Sequence, residues 1–195
     1  MATVDAGIEV RTVTAEMFTP EAWAPFGTVV APEGHDRLPI DLYGDAVDVY
    51  KEPLESDRPV EYLITRIRNR GYEIRYLERH HHLTQTFIPL GGVPFLQVVA
   101  RADAREEDGL PALDEIHAFF VPGQVAVQIH RGVWHEPPFA LQPEQVVLVT
   151  SHQDLTAGLE SQLNTRREIA QLDVEKRNVR ERAGYAIKID LPLGP

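Results

Sequence analysis

The sequence predicts a mainly β protein, a small antiparallel β-barrel or jelly roll, with a short N-terminal helix and a partly helical C-terminal extension. Three observations support this: short apolar segments follow one another from Val60, clusters of Gly, Pro and charged residues separate them, and their hydrophobic residues alternate as on strands. A chain of 195 residues suits one domain with its own core. We expect the barrel over residues 1–155 and an appended segment over 156–195.

The predicted elements begin with a short helix. Thr19 suits the N-cap, Pro20 suits the first helical position, and Gly27 marks the end. Thr28 to Val30 then form a strand. Residues 32–59, rich in Pro, Gly and Asp, are expected to be a long loop with short strands that could cover the mouth of a site.

Seven strands are predicted after this loop. Every second residue from Val60 to Arg66 lies on one face, whereas the segment FLQVVA (95–100) is apolar nearly throughout and fits a strand buried on both sides. The seven segments are VEYLITRI (60–67), YEIRYLER (72–79), TQTFIPL (84–90), VPFLQVVARA (93–102), EIHAFFV (115–121), QVAVQIH (124–130) and QVVLVTS (145–151).

The C-terminal segment is compatible with a helix over residues 156–182 but is polar. It could dock on a neighbouring molecule, lie on the surface, or be partly disordered. The segment AIKIDL (186–191) could add an edge strand, packed on the barrel or on a dimer partner.

Composition excludes several functions. A formal net charge of −11, from 19 Lys plus Arg against 30 Asp plus Glu, disfavours binding to nucleic acid or to an anionic membrane. Without cysteine, a metal must use imidazole, carboxylate or amide ligands. The sequence shows neither an export signal nor a membrane span, so a cytoplasmic protein is expected.

Five of the eight histidines lie in two stretches, residues 78–89 and 130–139. If the strand that ends near Arg79 continued, His80 and His82 would point to one side, and so would Glu78. With His135, which follows a turn at Gly132, they could supply three imidazoles to a metal. Gln85 is a possible fourth ligand if the backbone bulges before it. The alternative is an exposed polar run and a half-buried His135.

Other residues near these stretches are candidates for chemistry or substrate binding. His130 can act as an acid or base near neutral pH, or it can be a satisfied core histidine. Arg79 either twists into the pocket or pairs with a carboxylate on the outer face. Gln128 can offer an amide contact or be an ordinary polar residue. Trp134 and the prolines after it could wall the pocket.

Three segments together, ERHHHLTQTFIPLGG (78–92), FLQVVA (95–100) and FFVPGQVAVQIHRGVWHEPPF (119–139), resemble the ureidoglycolate lyase family of the cupin superfamily. The likeness runs from about Val13 to Ser151. HHHLTQ resembles the paired histidines of the first cupin motif, and HRGVWH resembles the turn and last histidine of the second. The usual cupin glutamate after the histidine pair is absent, and Gln85 is nearest.

The resemblance implies a cupin-like barrel, a homodimer, and an enzyme of purine and allantoin catabolism that cleaves ureidoglycolate to glyoxylate and urea. The base is then His130 or His135. The hydroxyl and carboxylate of the substrate are polarised by the other imidazole or by Mn, Ni or Zn. If His135 binds the metal, His130 must transfer the proton. The expected metal ligands are His80, His82, Gln85 and His135, and the expected substrate contacts are Arg79, Gln85, Gln128 and Trp134.

Two other classes stay open from the sequence. One is a different cupin enzyme, a metal-dependent isomerase, hydrolase or oxygenase that acts on another small carboxylic acid. The other is a small-molecule-binding protein without catalysis, although no DNA-binding module accompanies the barrel.

Overall fold

The computed structural model describes residues 7–40, 43–44, 46–161, 168–171 and 173–191. Its helices are α1 (Pro20–Trp23), α2 (Gln153–Ser161) and α3 (Val179–Ala183), with a 3-10 turn at Leu113–Glu115. Its strands are β1 (Val10–Met17), β2 (Gly27–Val30), β3 (Val60–Arg68), β4 (Glu73–Ile74), β5 (Tyr76–His80), β6 (Gln85–Leu90), β7 (Phe95–Ala100), β8 (Glu106–Glu107), β9 (Leu110–Pro111), β10 (His117–Val121), β11 (Ala126–Ile129), β12 (Trp134–His135), β13 (Phe139–Ala140), β14 (Glu144–His152), β15 (Ile169–Gln171), β16 (Val174–Asn178) and β17 (Ala186–Asp190).

Two sheets carry the fold. The large sheet has the strand order β15-β16-β5-β12-β7-β10-β1-β17-β4, with β13 also paired to β7. Strand β4 ends this order, and β5 stands near its other end, yet only Arg75 separates the two strands in the chain. The large sheet therefore curls back toward itself. The small sheet has the order β2-β11-β6-β14-β3. The mainly β class is confirmed, and the arrangement is consistent with a cupin-like fold.

Strand β7 separates two hydrophobic cores. Its residues Leu96, Val98 and Ala100 belong to a first core built from strands of the large sheet. Phe95 and Val99 point the other way, into a second core between the two sheets. All six residues of β7 are buried, which confirms the prediction for FLQVVA.

The predicted short helix, the strand that follows it and the strands from Val60 to Ser151 are confirmed. Thr19 caps α1 by accepting a hydrogen bond from the Ala22 amide at 3.2 Å, and each of the seven predicted segments contains a strand. The segment YEIRYLER is divided at Arg75 into β4 and β5. Among the described residues, no helix has the length and apolarity that crossing a membrane requires.

The C-terminal segment is less helical than the pattern over residues 156–182 allowed. Helix α2 ends at Ser161, and the chain then adds β15 and β16 to the large sheet; residues 162–167 and 172 of the expected helix lie outside the described residues. The predicted AIKIDL strand exists as β17, but it lies between β1 and β4 rather than at an edge. The apolar side chains of Ile187 and Ile189 explain this position, because both are buried.

The junction between α1 and β2 requires a glycine. A Cβ atom on Gly27 would lie 1.8 Å from the backbone oxygen of Gln128, which belongs to the paired strand β11. We expect Gly27→Ala to lower the free energy of unfolding by at least about 1–3 kcal/mol, because backbone must move to make room. Gly158→Ala is the matched control, since a Cβ there meets nothing within 4 Å. Because Gly158 lies on helix α2, Gly158→Ala should raise the free energy of unfolding by about 0.5–1 kcal/mol. Urea unfolding of both variants measures the difference, and equal midpoints would contradict it.

Glu168 gives the C-terminal segment a pH-dependent contribution to stability. Its carboxylate accepts hydrogen bonds from Arg182 Nε (2.6 Å) and Nη2 (2.7 Å) and from the Asn178 amide (3.0 Å). These contacts, Arg182 first, lower the pKa of Glu168 to about 2. The carboxylate therefore stabilises the fold above its ordinary pKa of 4.5, and this contribution is lost as the pH falls toward 2.

We expect Glu168→Gln to cost about 1 kcal/mol at pH 7, because the pair is partly exposed and screened by solvent. The difference from the unsubstituted protein should shrink as the pH falls from 4.5. Unfolding followed from pH 7 to pH 3 measures it. Glu33→Gln, at an exposed site, provides a control. A cost of Glu168→Gln that does not change with pH would contradict the lowered pKa of Glu168.

Candidate active site

Neighbouring strands of the large sheet bring His80 and His135 together. His135 pairs directly with Glu78 across β5 and β12, and the centroids of the two imidazole rings are 5.1 Å apart. His80 is only 3% exposed and His135 only 1%. Glu78 Oε1 lies 3.9 Å from His135 Nε2, and one ligand atom from each of the three residues falls within 4.8 Å of the others. We call these three residues the histidine–glutamate group.

Hydrogen bonding fixes which nitrogen of His135 is free to react. Its Nδ1 lies 3.0 Å from the carbonyl oxygen of Val133. Since a carbonyl only accepts, Nδ1 carries the hydrogen and Nε2 keeps its lone pair. Burial lowers the pKa of His135, although Glu78 partly offsets this. The ring is therefore neutral at physiological pH, with Nε2 available as a base or a ligand.

His80 is also neutral and has unused nitrogens. Burial first, and then the neighbouring rings of His135 and His152, hold its pKa well below the ordinary value. Within the described residues, both nitrogens of His80 lack a hydrogen-bond partner, and so does Nε2 of His135. Buried polar atoms without partners are rare in folded proteins, and a ligand often explains them.

The histidine–glutamate group fits a divalent metal. Two neutral imidazoles and a carboxylate are the donor set that Zn, Mn and Ni accept in proteins. The bond from His135 Nδ1 to a backbone carbonyl is the outer contact that orients a metal-binding histidine. The same three residues can instead bind a substrate hydroxyl and exchange protons with it.

The small sheet faces the histidine–glutamate group through Phe87. The Phe87 ring lies 6.1 Å from that of His135, edge on, and Phe87 belongs to the second core. Gln85, two residues earlier on β6, shares this face by strand alternation and is buried. Gln85 therefore lies on the side of the strand that faces the histidines, as its predicted role requires; whether it binds metal or substrate stays a prediction.

Next to His135, Glu136 is a second buried carboxyl that the sequence reasoning missed. Its Oε1 lies 3.3 Å from Arg70 Nη2. Burial nevertheless raises the pKa of Glu136 to about 7, against the lowering effect of Arg70. A carboxyl with such a pKa exchanges its proton near neutral pH, a property common in active sites.

His82 lies outside the histidine–glutamate group. The expectation that it would share a face with His80 required a continuous strand, but β5 ends at His80. The backbone then turns, and the imidazole of His82, half exposed, places Nδ1 2.7 Å from Asp57 Oδ2. Glu78 stands closer to the two buried histidines, so it replaces His82 in the set that can bind a metal.

Arg79 and Trp134 lie on the other face of the large sheet. Each directly adjoins a histidine of the group, and neighbouring residues of a strand point in opposite directions. Trp134 is fully buried in the first core, and the guanidinium of Arg79 lies 4.1 Å from the centroid of its ring. Arg79 also pairs with Glu175 at 2.7 Å and Glu106 at 3.0 Å. Both side chains thus lie on the face opposite the histidine–glutamate group, and not beside the substrate as expected.

Gln128 and His130 are also outside the group. Gln128 alternates with Val127 and Ile129, which enter the second core, so it points to the other face of the small sheet. Its amide donates to Glu52 Oε1 at 2.8 Å and to the Pro53 oxygen at 2.9 Å. His130 is exposed at the turn before Gly132. The loop from residue 32 thus covers part of this outer face.

Asp173 and His152 form a buried pair beside His80. His152 Nε2 lies 3.0 Å from Asp173 Oδ2, and His80 Nδ1 lies 3.8 Å from the same oxygen. A cavity of about 220 Å³ adjoins the pair. Its lining residues are Asp57, Arg58, His82, His152, Asp154 and Asp173. The sequence reasoning missed this pair; His152 is the last residue of the largely apolar strand β14, but Asp173 gives no local signal.

Comparison with known proteins places the chain in a family. The family model described as ureidoglycolate lyase matches residues 10–170. The chain belongs to the ureidoglycolate lyase family. It is 37% identical over 145 residues to the ureidoglycolate lyase of Stutzerimonas stutzeri strain A1501, a match that covers 71% of this chain and 82% of the relative. The resemblance predicted from the motifs is confirmed.

Two further relatives named ureidoglycolate lyase give the same result. The protein of Pseudomonas fluorescens strain Pf0-1 is 35% identical, with 71% of this chain and 83% of the relative covered. The protein of Pseudomonas aeruginosa strain LESB58 is 35% identical, with 71% and 82% covered. The histidine–glutamate group lies inside the matched residues of the ureidoglycolate lyase family, whereas Asp173 and strands β16 and β17 lie beyond them.

Proposed function

We propose that this member of the ureidoglycolate lyase family cleaves ureidoglycolate to glyoxylate and urea at the histidine–glutamate group. The observation that carries the proposal lies within residues 10–170, which the family model matches. Two buried, neutral imidazoles stand beside a carboxylate, and among the described residues both nitrogens of His80 and Nε2 of His135 have no hydrogen-bond partner. Family membership supports a lyase, and the geometry supports these residues as its reactive centre.

The reaction requires little more than controlled proton transfer. Ureidoglycolate carries a hydroxyl and a ureido nitrogen on the same carbon. Removal of the hydroxyl proton lets the oxygen form a carbonyl while the carbon–nitrogen bond breaks, and the departing nitrogen takes up a proton to give urea. The enzyme must supply a base, an acid and stabilisation for the negative charge on oxygen.

His135 is suited to be the base. Its Nε2 lone pair is free because Nδ1 donates to Val133, and its pKa is below the ordinary value, so it is unprotonated at neutral pH. The proton that it removes can return to the ureido nitrogen, which leaves no net change in protonation. His80 then binds the hydroxyl or the carboxylate, and Gln85 offers an amide contact from the small sheet.

A divalent metal is compatible with the same residues. His80, His135 and Glu78 would hold it, and Gln85 stays a proposed fourth ligand. When bound, the metal supplies a Lewis acid that polarises the substrate oxygens. With His135 occupied as a ligand, proton transfer falls to a group outside the three, for which His130 and Glu136 are the candidates.

The proposal extends to the setting of the enzyme: a cytoplasmic homodimer in purine and allantoin catabolism. An exposed apolar face on β3, at an edge of the small sheet, supports the dimer, because Tyr62 is 65% exposed and Ile64 is 77% exposed. Sedimentation equilibrium tests this directly. A monomer at micromolar concentration would remove the dimer from the proposal.

The deciding experiment measures glyoxylate release from ureidoglycolate by the purified protein, before chelation, after chelation, and after adding back Mn, Ni or Zn. Release that disappears with chelation and returns with metal supports the metal at the histidine–glutamate group. Release that survives chelation supports His135 as a metal-free base. No release under any condition would overturn the proposed substrate and direct the search to other small carboxylic acids.

A further inference from the structure

The carboxylate of Asp173 accepts hydrogen bonds from three donors. Its Oδ1 accepts from the backbone amides of His81 at 2.8 Å and His82 at 2.5 Å. Its Oδ2 lies 3.0 Å from Nε2 of His152. Asp173 is only 2% exposed. The side chain thus ties together the turn that follows His80 and the end of strand β14.

The second nitrogen of His152 shows that the histidine is a donor to Asp173. The backbone amide of Leu155 donates to His152 Nδ1 at 3.2 Å. An imidazole nitrogen that accepts a hydrogen bond carries no hydrogen, so the hydrogen of the neutral ring sits on Nε2 and points at Asp173. Both oxygens of Asp173 therefore act as acceptors.

Only a carboxylate satisfies this arrangement. An asparagine offers one oxygen and one NH₂ group. If its oxygen faced the backbone amides, its NH₂ would face the His152 donor. If the amide flipped, its NH₂ would face the two backbone donors. Either orientation brings two donors together in a buried site, although asparagine matches aspartate in size.

The same carboxylate acts on the candidate active site. Its Oδ2 lies 3.8 Å from His80 Nδ1, which is too long for a hydrogen bond but close for a charge inside a protein. A negative charge there favours the hydrogen on Nδ1 of the neutral His80 ring, and this leaves the lone pair on Nε2. Carboxylates and carbonyls commonly orient catalytic and metal-binding histidines in this way.

We propose that Asp173 is a positioning residue for His80, supplied by a segment of chain that lies beyond the residues matched by the family model. It anchors the turn after His80, holds His152 in place, and selects the tautomer of His80 that presents Nε2 to the substrate or metal. This inference rests on the proposed function for its kinetic consequence, but its effect on the His80 ring does not depend on the identity of the substrate.

The test compares Asp173→Asn with the unsubstituted protein in two ways. Loss of an outer contact to a reactive histidine typically costs about 10–100-fold in activity or metal affinity, so we expect kcat for glyoxylate release to fall by about that factor. Long-range ¹H–¹⁵N spectra of histidine-labelled protein, assigned with His80→Gln, should show His80 as the Nδ1–H tautomer. In Asp173→Asn the His80 and His152 signals should shift, while those of His117 stay in place.

Asp154→Asn is the matched control. Asp154 lines the same cavity, but its side chain is about half exposed and pairs with Arg58. We expect its kcat to stay within about twofold, as for most surface substitutions. Unchanged His80 signals in a folded Asp173→Asn, or a kcat like that of Asp154→Asn, would overturn the inference.

Two further results keep the test decisive. If Asp173→Asn does not fold, the spectrum of the unsubstituted protein alone decides, because His80 as the Nε2–H tautomer would overturn the inference. If the unsubstituted protein releases no glyoxylate, the proposed function fails, whereas the spectra still test the role of Asp173.

Discussion

Replacing His135 with glutamine is expected to lower kcat/KM for glyoxylate release by about 100-fold or more. A positioned acid or base typically contributes about 10²–10⁴-fold to a rate. His135 Nε2 is the ring nitrogen without a hydrogen-bond partner among the described residues, since Nδ1 donates to the Val133 carbonyl. Glutamine can keep an amide donor in this region but supplies no base near neutral pH. Initial rates over a range of ureidoglycolate concentrations measure the loss.

His117→Gln is the control for this substitution. His117 lies on β10, pairs with Glu16 at 2.8 Å, and is partly exposed. We expect kcat/KM to stay within about twofold, because no group of the candidate site is touched. A His135→Gln variant that folds and retains more than about a tenth of the activity would remove His135 as the base. Titration with Ni or Zn would then show whether it still binds metal.

Replacing Trp134 with alanine is expected to lower the free energy of unfolding by about 3–5 kcal/mol, the usual range for a large aromatic residue in a core. Trp134 is fully buried in the first core, and the guanidinium of Arg79 stacks on its ring. The alanine variant loses both the packing and the cation–π contact. Chemical denaturation measures the cost. Tyr43→Ala, at a site 75% exposed, should change stability by less than about 0.5 kcal/mol.

Trp134→Phe separates a core role from substrate binding. A phenylalanine keeps an aromatic ring in the core, so we expect a moderate loss of stability and a KM within about twofold. Were Trp134 a wall of the substrate pocket, KM would rise while stability changed little. That combination would contradict its placement on the face opposite His135.

Strand alternation accounts for much of what the sequence predicts correctly. The pattern of FLQVVA predicts a strand with a core on each side, and β7 is buried on both faces. The same rule places Glu78 with His80 and separates Arg79 from them. It also applies to Trp134, because a residue next to His135 on a strand must point the other way. The expectation that Trp134 lines the pocket overlooked this signal.

The expectations that the structure corrects concern segments whose conformation depends on contacts between distant parts of the chain. The turn after His80 is bound by Asp173, and nothing near His80 in the sequence reveals where β5 ends. The polar residues of β16 resemble a solvated helix, yet they pair with β5 across a register set by Val174 and His80. Local propensity does not report such pairings, because tertiary contacts decide them.

The pairing of β1 with β17 has a consequence for synthesis of the protein. Val10 lies opposite Ala186 in a parallel pair, and β17 separates β1 from β4. The nascent chain can form the small sheet and the His80–His135 neighbourhood early, but the large sheet cannot close before residue 190 has left the ribosome. Contacts so far apart in sequence form slowly. Asp173 also arrives late, so a translation product that ends before it would carry His80 and His135 but lack the carboxylate that binds the turn after His80.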